Sequence, residues 1–340
     1  MIRFFTLLMM VAWLPGLTLA ADPPAWEGLL GSLAKDEKSG FGGLCGVIAD
    51  PATGSLWINL SDRGFYRSDD QGQTFRRCGD MQPRGRTESP GCFQLDPTGG
   101  SKRLVTALVY GSPISISANA GLSWKQADAK SSHIDWCAVD WTDPDLKFML
   151  ALKHEADGLL LASRDGGASF SEIGKGYGSG WVFNEKTAVV AEAKTRTRPK
   201  PGLMRTTDAG QTWQLCGAYS PVGANSAQAL PQWREGSLYW LVEGTLIASN
   251  DLGTTWQKKG DVKDGRYGPV FGKDAKHLFV LTGVGIIEST DGGTTWARPI
   301  SPPRGLNGIG GLTWLAYDAR GDNLYLMKMG SDLFRLARGR

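Results

Sequence analysis

Residues 289–296 read STDGGTTW, and residues 249–256 read SNDLGTTW. The pattern they share is a small hydroxyl residue, any residue, Asp or Asn, any residue, Gly, any residue, Ser or Thr, and an aromatic. Further copies are SDDQGQTF from Ser68, SANAGLSW from Ser117, SRDGGASF from Ser163 and TTDAGQTW from Thr206. Successive copies start 49, 46, 43, 43 and 40 residues apart. Self-similarity at a near-constant period is the mark of a repeat architecture, so the repeat governs every other reading.

Most copies follow a short strand that begins near a glycine, as in RGFYRS, DGLLLAS, PGLMRT, EGTLIAS and VGIIES. Upstream, Asp50-Pro51, Asp96-Pro97 and Asp143-Pro144 each precede an apolar strand, as turn-starting Asp-Pro pairs do. The unit is therefore four short strands: A before the Asp-Pro turn, B after it, C ending in Ser or Thr, and D beginning at the aromatic. Four strands in 40 to 50 residues predict an all-β fold, a β-propeller, with one blade per repeat.

In that scheme the eight letters form the C-to-D hairpin turn. The Asp or Asn accepts hydrogen bonds from turn N–H groups, the Gly takes a positive φ, and the aromatic opens a strand and packs between sheets. After the sixth copy, GLTWLAYDA, NLYLMKM and SDLFRLA supply strands A, B and C of a further blade but no strand D. Ala25-Trp26-Glu27-Gly28-Leu29-Leu30 resembles that missing strand, with Trp26 in the aromatic position. The expectation is a seven-bladed propeller of four-stranded blades, closed by this N-terminal strand so that no edge stays open.

Composition is compatible with an exported protein. Arg3 precedes the apolar run FFTLLMMVAWLPGLTLA, with Thr18 and Ala20 at a signal-peptidase spacing, so residues 1–20 are read as a signal peptide and 21–340 as one propeller domain. The expected location is secreted or periplasmic, with no membrane span and a monomeric chain. A formal charge of +3 is too small to imply a nucleic-acid partner. Five cysteines leave at least one thiol unpaired, and Cys78 and Cys92, bracketing one loop, are the preferred disulfide. Cys45, Cys92 and Cys137 fall at similar places on strands A, where small buried thiols fit tight inner strands. Neither the cysteines nor the three histidines, His133, His154 and His277, have metal-site spacing, and neither metal nor cofactor is expected.

The eight-residue box resembles the Asp-box, or BNR, repeat. It is shared by sialidases, xyloglucan-cleaving glycoside hydrolases, the luminal domains of sortilin-like receptors and photosystem II assembly factor-like propellers. The resemblance spans roughly residues 25–340 and implies fold with more force than function. It implies that the box lies away from the ligand face, which D-to-A and B-to-C loops build. Sialidases of this kind carry an Arg-Ile-Pro motif before the first box. Here the nearest string is Arg298-Pro299-Ile300, after the last box and in another order, which argues against sialidase activity.

Projected onto that face, the loops bring Arg84, Arg86, Lys175, Arg196, Arg198, Lys200, Arg266 and Arg304 to one mouth. Tyr110, Tyr177, Tyr219 and Tyr267 lie among them. Arginine forks suit carboxylate, sulfate or phosphate, and tyrosines stack on sugars or peptide side chains. The candidate ligand-binding set is Arg84, Arg86, Tyr177, Arg196, Arg198, Arg266, Tyr267 and Arg304. The plainer alternative pairs these arginines with Asp80, Glu88, Asp157 and Asp264.

A glycosidase needs two facing carboxylates, and Asp135 with Glu88 and Glu155 is the constellation the loops offer. His154, beside Glu155, suits the base of a lyase. The leading expectation is a binding propeller resembling the assembly-factor-like group, holding an acidic peptide, protein or anionic polysaccharide outside the cytoplasm. The alternative is a glycoside hydrolase or polysaccharide lyase working on the same face.

Overall fold

The computed structural model describes residues 25–40, 42–79, 82–98, 102–196, 199–222, 230–306 and 308–339. The expected signal segment 1–20 lies outside them, as do Asp80 and Arg198. The described chain forms seven antiparallel sheets arranged as a propeller. Blade 1 is Gly46–Ala49, Leu56–Asn59, Phe65–Ser68 and Arg76–Arg77, and blade 2 is Phe93–Leu95, Leu104–Thr106, Ser115–Ser117 and Lys125–Gln126. Blade 3 is Ile134–Val139, Met149–Lys153, Leu160–Ser163 and Ser171–Gly174; blade 4 is Tyr177–Val182, Ala188–Glu192, Leu203–Thr206 and Gln214–Gly217. Blade 5 is Gln232–Arg234, Ser237–Val242, Thr245–Ser249 and Gln257–Asp261. Blade 6 is Gly265–Phe271, Leu278–Thr282 and Gly285–Ser289, its fourth position held by the single bridge between Ile286 and Ile300.

Blade 7 is Thr313–Asp318, Asn323–Lys328 and Leu333–Ala337, completed by Glu27–Gly28 from the N-terminal side. Glu27 pairs with Arg335 and Gly28 with Phe334, as the closing strand requires. The Trp26 indole donates to the Ser301 carbonyl at 2.8 Å.

Sequence chemistry explains which strands go inside. Strands B such as Met149–Lys153 and Leu278–Thr282 are almost continuously apolar and buried, because neighbouring blades cover both of their faces. Strands D such as Arg76–Arg77 and Lys125–Gln126 are polar and exposed. The five box turns built on Asp repeat one hydrogen-bond set, and in the blade 2 turn Asn119 Nδ2 instead donates to Ser123 Oγ at 2.9 Å. In blade 1, Gly72 N donates to Ser68 Oγ (2.8 Å), and Asp70 accepts from Thr74 N (2.9 Å) and Thr74 Oγ1 (2.6 Å). The turn also holds its fourth residue at positive φ, as at Gln71 (61°) and Leu252 (56°), a demand beyond the expected glycine. Box aromatics Phe75, Trp124, Phe170, Trp213, Trp256 and Trp296 all pack into the apolar clusters between sheets.

The preferred disulfide is corrected. Cys78 and Cys92 are free and buried, as are Cys45 and Cys137. The Cys78 thiol lies against the blade 2 box, near Gly121. Cys92 turns inward, its Sγ 3.1 Å from the Asp135 carbonyl. Burial pushes the Cys45 and Cys78 thiols up to about 12 and the Cys92 thiol up to about 11. Among the described residues, no helix is long and apolar enough to cross a membrane.

Candidate functional site

The D-to-A and B-to-C loops of blades 1 to 3 meet in a polar cluster around His154. Strand A of blade 3 is out of register between Ile134, opposite Lys153, and Trp136, opposite Leu152. Asp135 is the extra residue of that bulge, a feature that re-aims a side chain out of the ladder. Its Oδ1 lies 2.7 Å from His154 Nδ1 at the end of strand B. The opposite ring atom, Nε2, lies 3.2 Å from the Tyr110 hydroxyl and 3.6 Å from Glu155 Oε1.

Tyr110 is held by an extra two-stranded ribbon, Gly85–Arg86 against Tyr110–Gly111, which joins a D-to-A loop to a B-to-C loop. The ribbon requires both glycines: φ is 142° at Gly85 and 144° at Gly111, and a Cβ at either would lie 2.2 Å from a carbonyl oxygen of the opposite strand. The Arg86 guanidinium sits 4.7 Å above the Tyr110 ring, with the His133 ring edge-on at 5.7 Å. Arg86 is buried and ion-paired with Glu88.

Electrostatics within the cluster are uneven. Burial holds the Asp135 carboxyl above the usual carboxylate range. The hydrogen bond and charge of His154 work against that rise, while Glu88 and Glu155 add to it. The structure brings Asp135, Glu88 and Glu155 into one neighbourhood, but each is differently engaged. Asp135 is bound to His154, Glu88 to Arg86, and the Glu155 side chain is 77% exposed.

The candidate basic mouth divides. Arg84, Arg196 and Arg304 are exposed, and among the described residues their guanidiniums make no ion pair. Arg266 donates to the Ile309 carbonyl at 2.6 Å and pairs with Asp264 at 3.2 Å, and Lys175 pairs with Asp157 at 3.3 Å. With Arg86 on Glu88, these pairs match the plainer alternative raised by the sequence. Tyr267 is corrected from mouth to interior: it is buried, and its hydroxyl donates to the Leu315 carbonyl at 3.1 Å. Tyr177 is half-buried, 5.8 Å from the Trp213 ring. Arg198 lies outside the described residues.

A cavity of about 460 Å³ occupies the axis near the A-to-B turns, lined by Trp136, Trp141, Trp181, Trp233 and Trp314. It lies toward the opposite end of strands A from the His154 cluster, and of the candidate residues only Tyr267 reaches it. Among the described residues, no group of three or more His, Cys, Asp or Glu side chains is arranged to hold a metal ion. Sequence reasoning named His154 and Tyr110 but did not join them, because the contact depends on the bulge and the ribbon.

No family model matches the chain, and no curated protein matches it in sequence. Solved structures do. YCF48 bound to D1 peptide is 14% identical over 94% of this chain and 97% of that chain, with a TM-score of 0.52. The extracellular domain of the B. thetaiotaomicron protein BT4673 is 12% identical over 93% of this chain, with a TM-score of 0.57. An ancestral GH74 enzyme is 14% identical over 86% of this chain, with a TM-score of 0.48. The likeness is one of fold alone. The chain spans about 40% of the length of the BT4673 domain and 44% of the GH74 enzyme, against nearly all of YCF48.

Proposed function

We propose that the chain is an exported Asp-box propeller that binds an anionic ligand on the face built by D-to-A and B-to-C loops. The observation that carries this reading is the separation of its cations. Arg86, Arg266 and Lys175 are matched by acidic side chains, whereas Arg84, Arg196 and Arg304 are exposed at the same end of the blades without an ion pair among the described residues. Guanidiniums left in that state suit carboxylate or sulfate groups, which they contact through paired N–H donors. A propeller of matching length, YCF48, is known with a peptide bound, which supports a binding role. The apolar run of residues 4–20 and the similarity to an extracellular domain support export.

Calorimetry with polyglutamate and polygalacturonate, at low and high salt, tests the proposal. Replacing Arg84, Arg196 and Arg304 together with Gln is expected to weaken binding about tenfold, roughly 1.4 kcal/mol spread over three exposed contacts. Added salt is expected to weaken the wild type and to change the variant little. Affinity indifferent to both salt and the substitutions would overturn the reading.

A further inference from the structure

We propose that Tyr110, His154 and Asp135 form an acid–base site on this face, and that its substrate is a uronate-bearing polysaccharide cleaved by β-elimination. The inference rests on the anionic-ligand reading and names the chemistry that follows binding.

The geometry orders three groups. Asp135, turned out of its strand by the bulge, faces Nδ1 of His154 at 2.7 Å and so favours the tautomer with the proton there. That leaves the Nε2 lone pair toward the Tyr110 hydroxyl at 3.2 Å. Tyr110 is 44% exposed, so its phenol reaches solvent while its backbone is fixed by the ribbon. The Arg86 guanidinium, 4.7 Å above the ring, holds the phenol in orientation. Arg84, exposed in the loop just before the strand that carries Arg86, is placed to meet a ligand carboxylate beside the ribbon.

Elimination from a uronate matches these parts. An arginine neutralises the sugar carboxylate, which makes the C5 proton acidic. His154 Nε2 takes that proton, the electron pair forms the C4=C5 double bond, and the C4–O4 bond breaks. The leaving O4 takes the Tyr110 phenol proton. The imidazolium then returns its proton to the phenolate across their hydrogen bond, restoring both side chains. Atoms and charge balance with no co-reactant. Hydrolysis by paired carboxylates fits less well, since Asp135 is committed to His154 and Glu88 to Arg86. Asp135 is a positioning residue. The other charged or titratable groups facing His154 are Glu155, Tyr110 and, beyond Tyr110, His133 and the Arg86–Glu88 pair.

The test uses the full chain with polygalacturonate, alginate and glycosaminoglycans, reading the ultraviolet absorbance of the C4=C5 product. Tyr110→Phe and His154→Gln are expected to lower kcat about 100-fold or more, with calorimetric affinity unchanged. Asp135→Asn is expected to lower kcat without raising KM and to alter the pH profile; an unaltered profile would remove its positioning role. Binding of a polyuronate without unsaturated product, or with reducing ends but no double bond, would overturn the elimination site and leave the binding function standing. Binding of polyglutamate alone would overturn it in favour of an acidic peptide. No binding of any polyanion would overturn the binding function itself.

Discussion

Asp251 accepts from Ser249 Oγ at 2.8 Å and Thr255 N at 2.9 Å through one oxygen, and from Thr255 Oγ1 at 2.6 Å through the other. Partial burial alone would raise its pKa, but the Thr255 and Ser249 hydrogen bonds outweigh it and bring the value down to about 2. A depressed folded pKa stabilises the fold above the unfolded value, near 4, and that stabilisation is lost as pH falls through about 2. Asp251→Ala is therefore expected to cost about 1 kcal/mol at neutral pH, the size of a lost cap. The gap from wild type should narrow between pH 4 and 2 as the native carboxylate is protonated. Denaturant melts across that range check both; a gap constant with pH would show that the carboxylate charge is not what holds the turn. This role was legible because Asp and the hydroxyls recur at fixed offsets. The positive φ of the fourth box residue was not, since Gln71, Ala120, Ala209 and Leu252 carry no signal for it. Nor was the aim of Asp135, which follows from an extra residue in one ladder rather than from residue type.

Strands and their partners set the next scale. The four-strand blades were legible from turn chemistry and apolar runs, because each strand pairs with its neighbour in sequence. The ribbon of Gly85–Arg86 and Tyr110–Gly111 was not, because two-residue strands so far apart leave no periodic trace. Closure of blade 7 is the long-range pairing that the sequence did reveal, through one unpaired strand at each end. Three contacts secure it: Glu27 with Arg335 at 2.6 Å, Arg335 with the Gln71 carbonyl of blade 1 at 3.0 Å, and Trp26 with Ser301. Leu30, 7% exposed, adds burial worth about 1.5–3 kcal/mol. A chain lacking residues up to 31 is expected to melt earlier and to aggregate, since Leu333–Ala337 becomes an open edge. Trp26→Ala should show a smaller change in the same direction. Thermal melts and light scattering measure both, and an unchanged melt of the truncated chain would mean that the strand does not close the ring.

Across the whole ring, the closing strand occupies the same register as every other strand D that pairs in a full ladder. The residue before each box pairs with the residue after its aromatic: Arg67 with Arg76, Ile116 with Lys125, Ala162 with Ser171, Arg205 with Gln214, and Ala248 with Gln257. Arg335 with Glu27 repeats that relation, with Trp26 as the aromatic and Leu336 where a box would begin. Blade 7 is thus an ordinary blade whose box is the point where the ring is open. If blades are equivalent units, the opening can be moved. A circular permutant that carries Leu336→Ser, joins that position to Trp26 through the six inner residues of a box, and begins instead at Gly253 within the blade 5 box, exchanges one complete turn for another. It is expected to keep the wild-type circular dichroism spectrum and to melt within a few degrees of the wild type, because about 1 kcal/mol of capping is gained in one blade and lost in another. Polyanion affinity should be preserved, since the opening stays on the box side and the D-to-A and B-to-C loops keep their order. A permutant that fails to fold would show that blade 7 closes through contacts particular to it, rather than through the register that all the blades share.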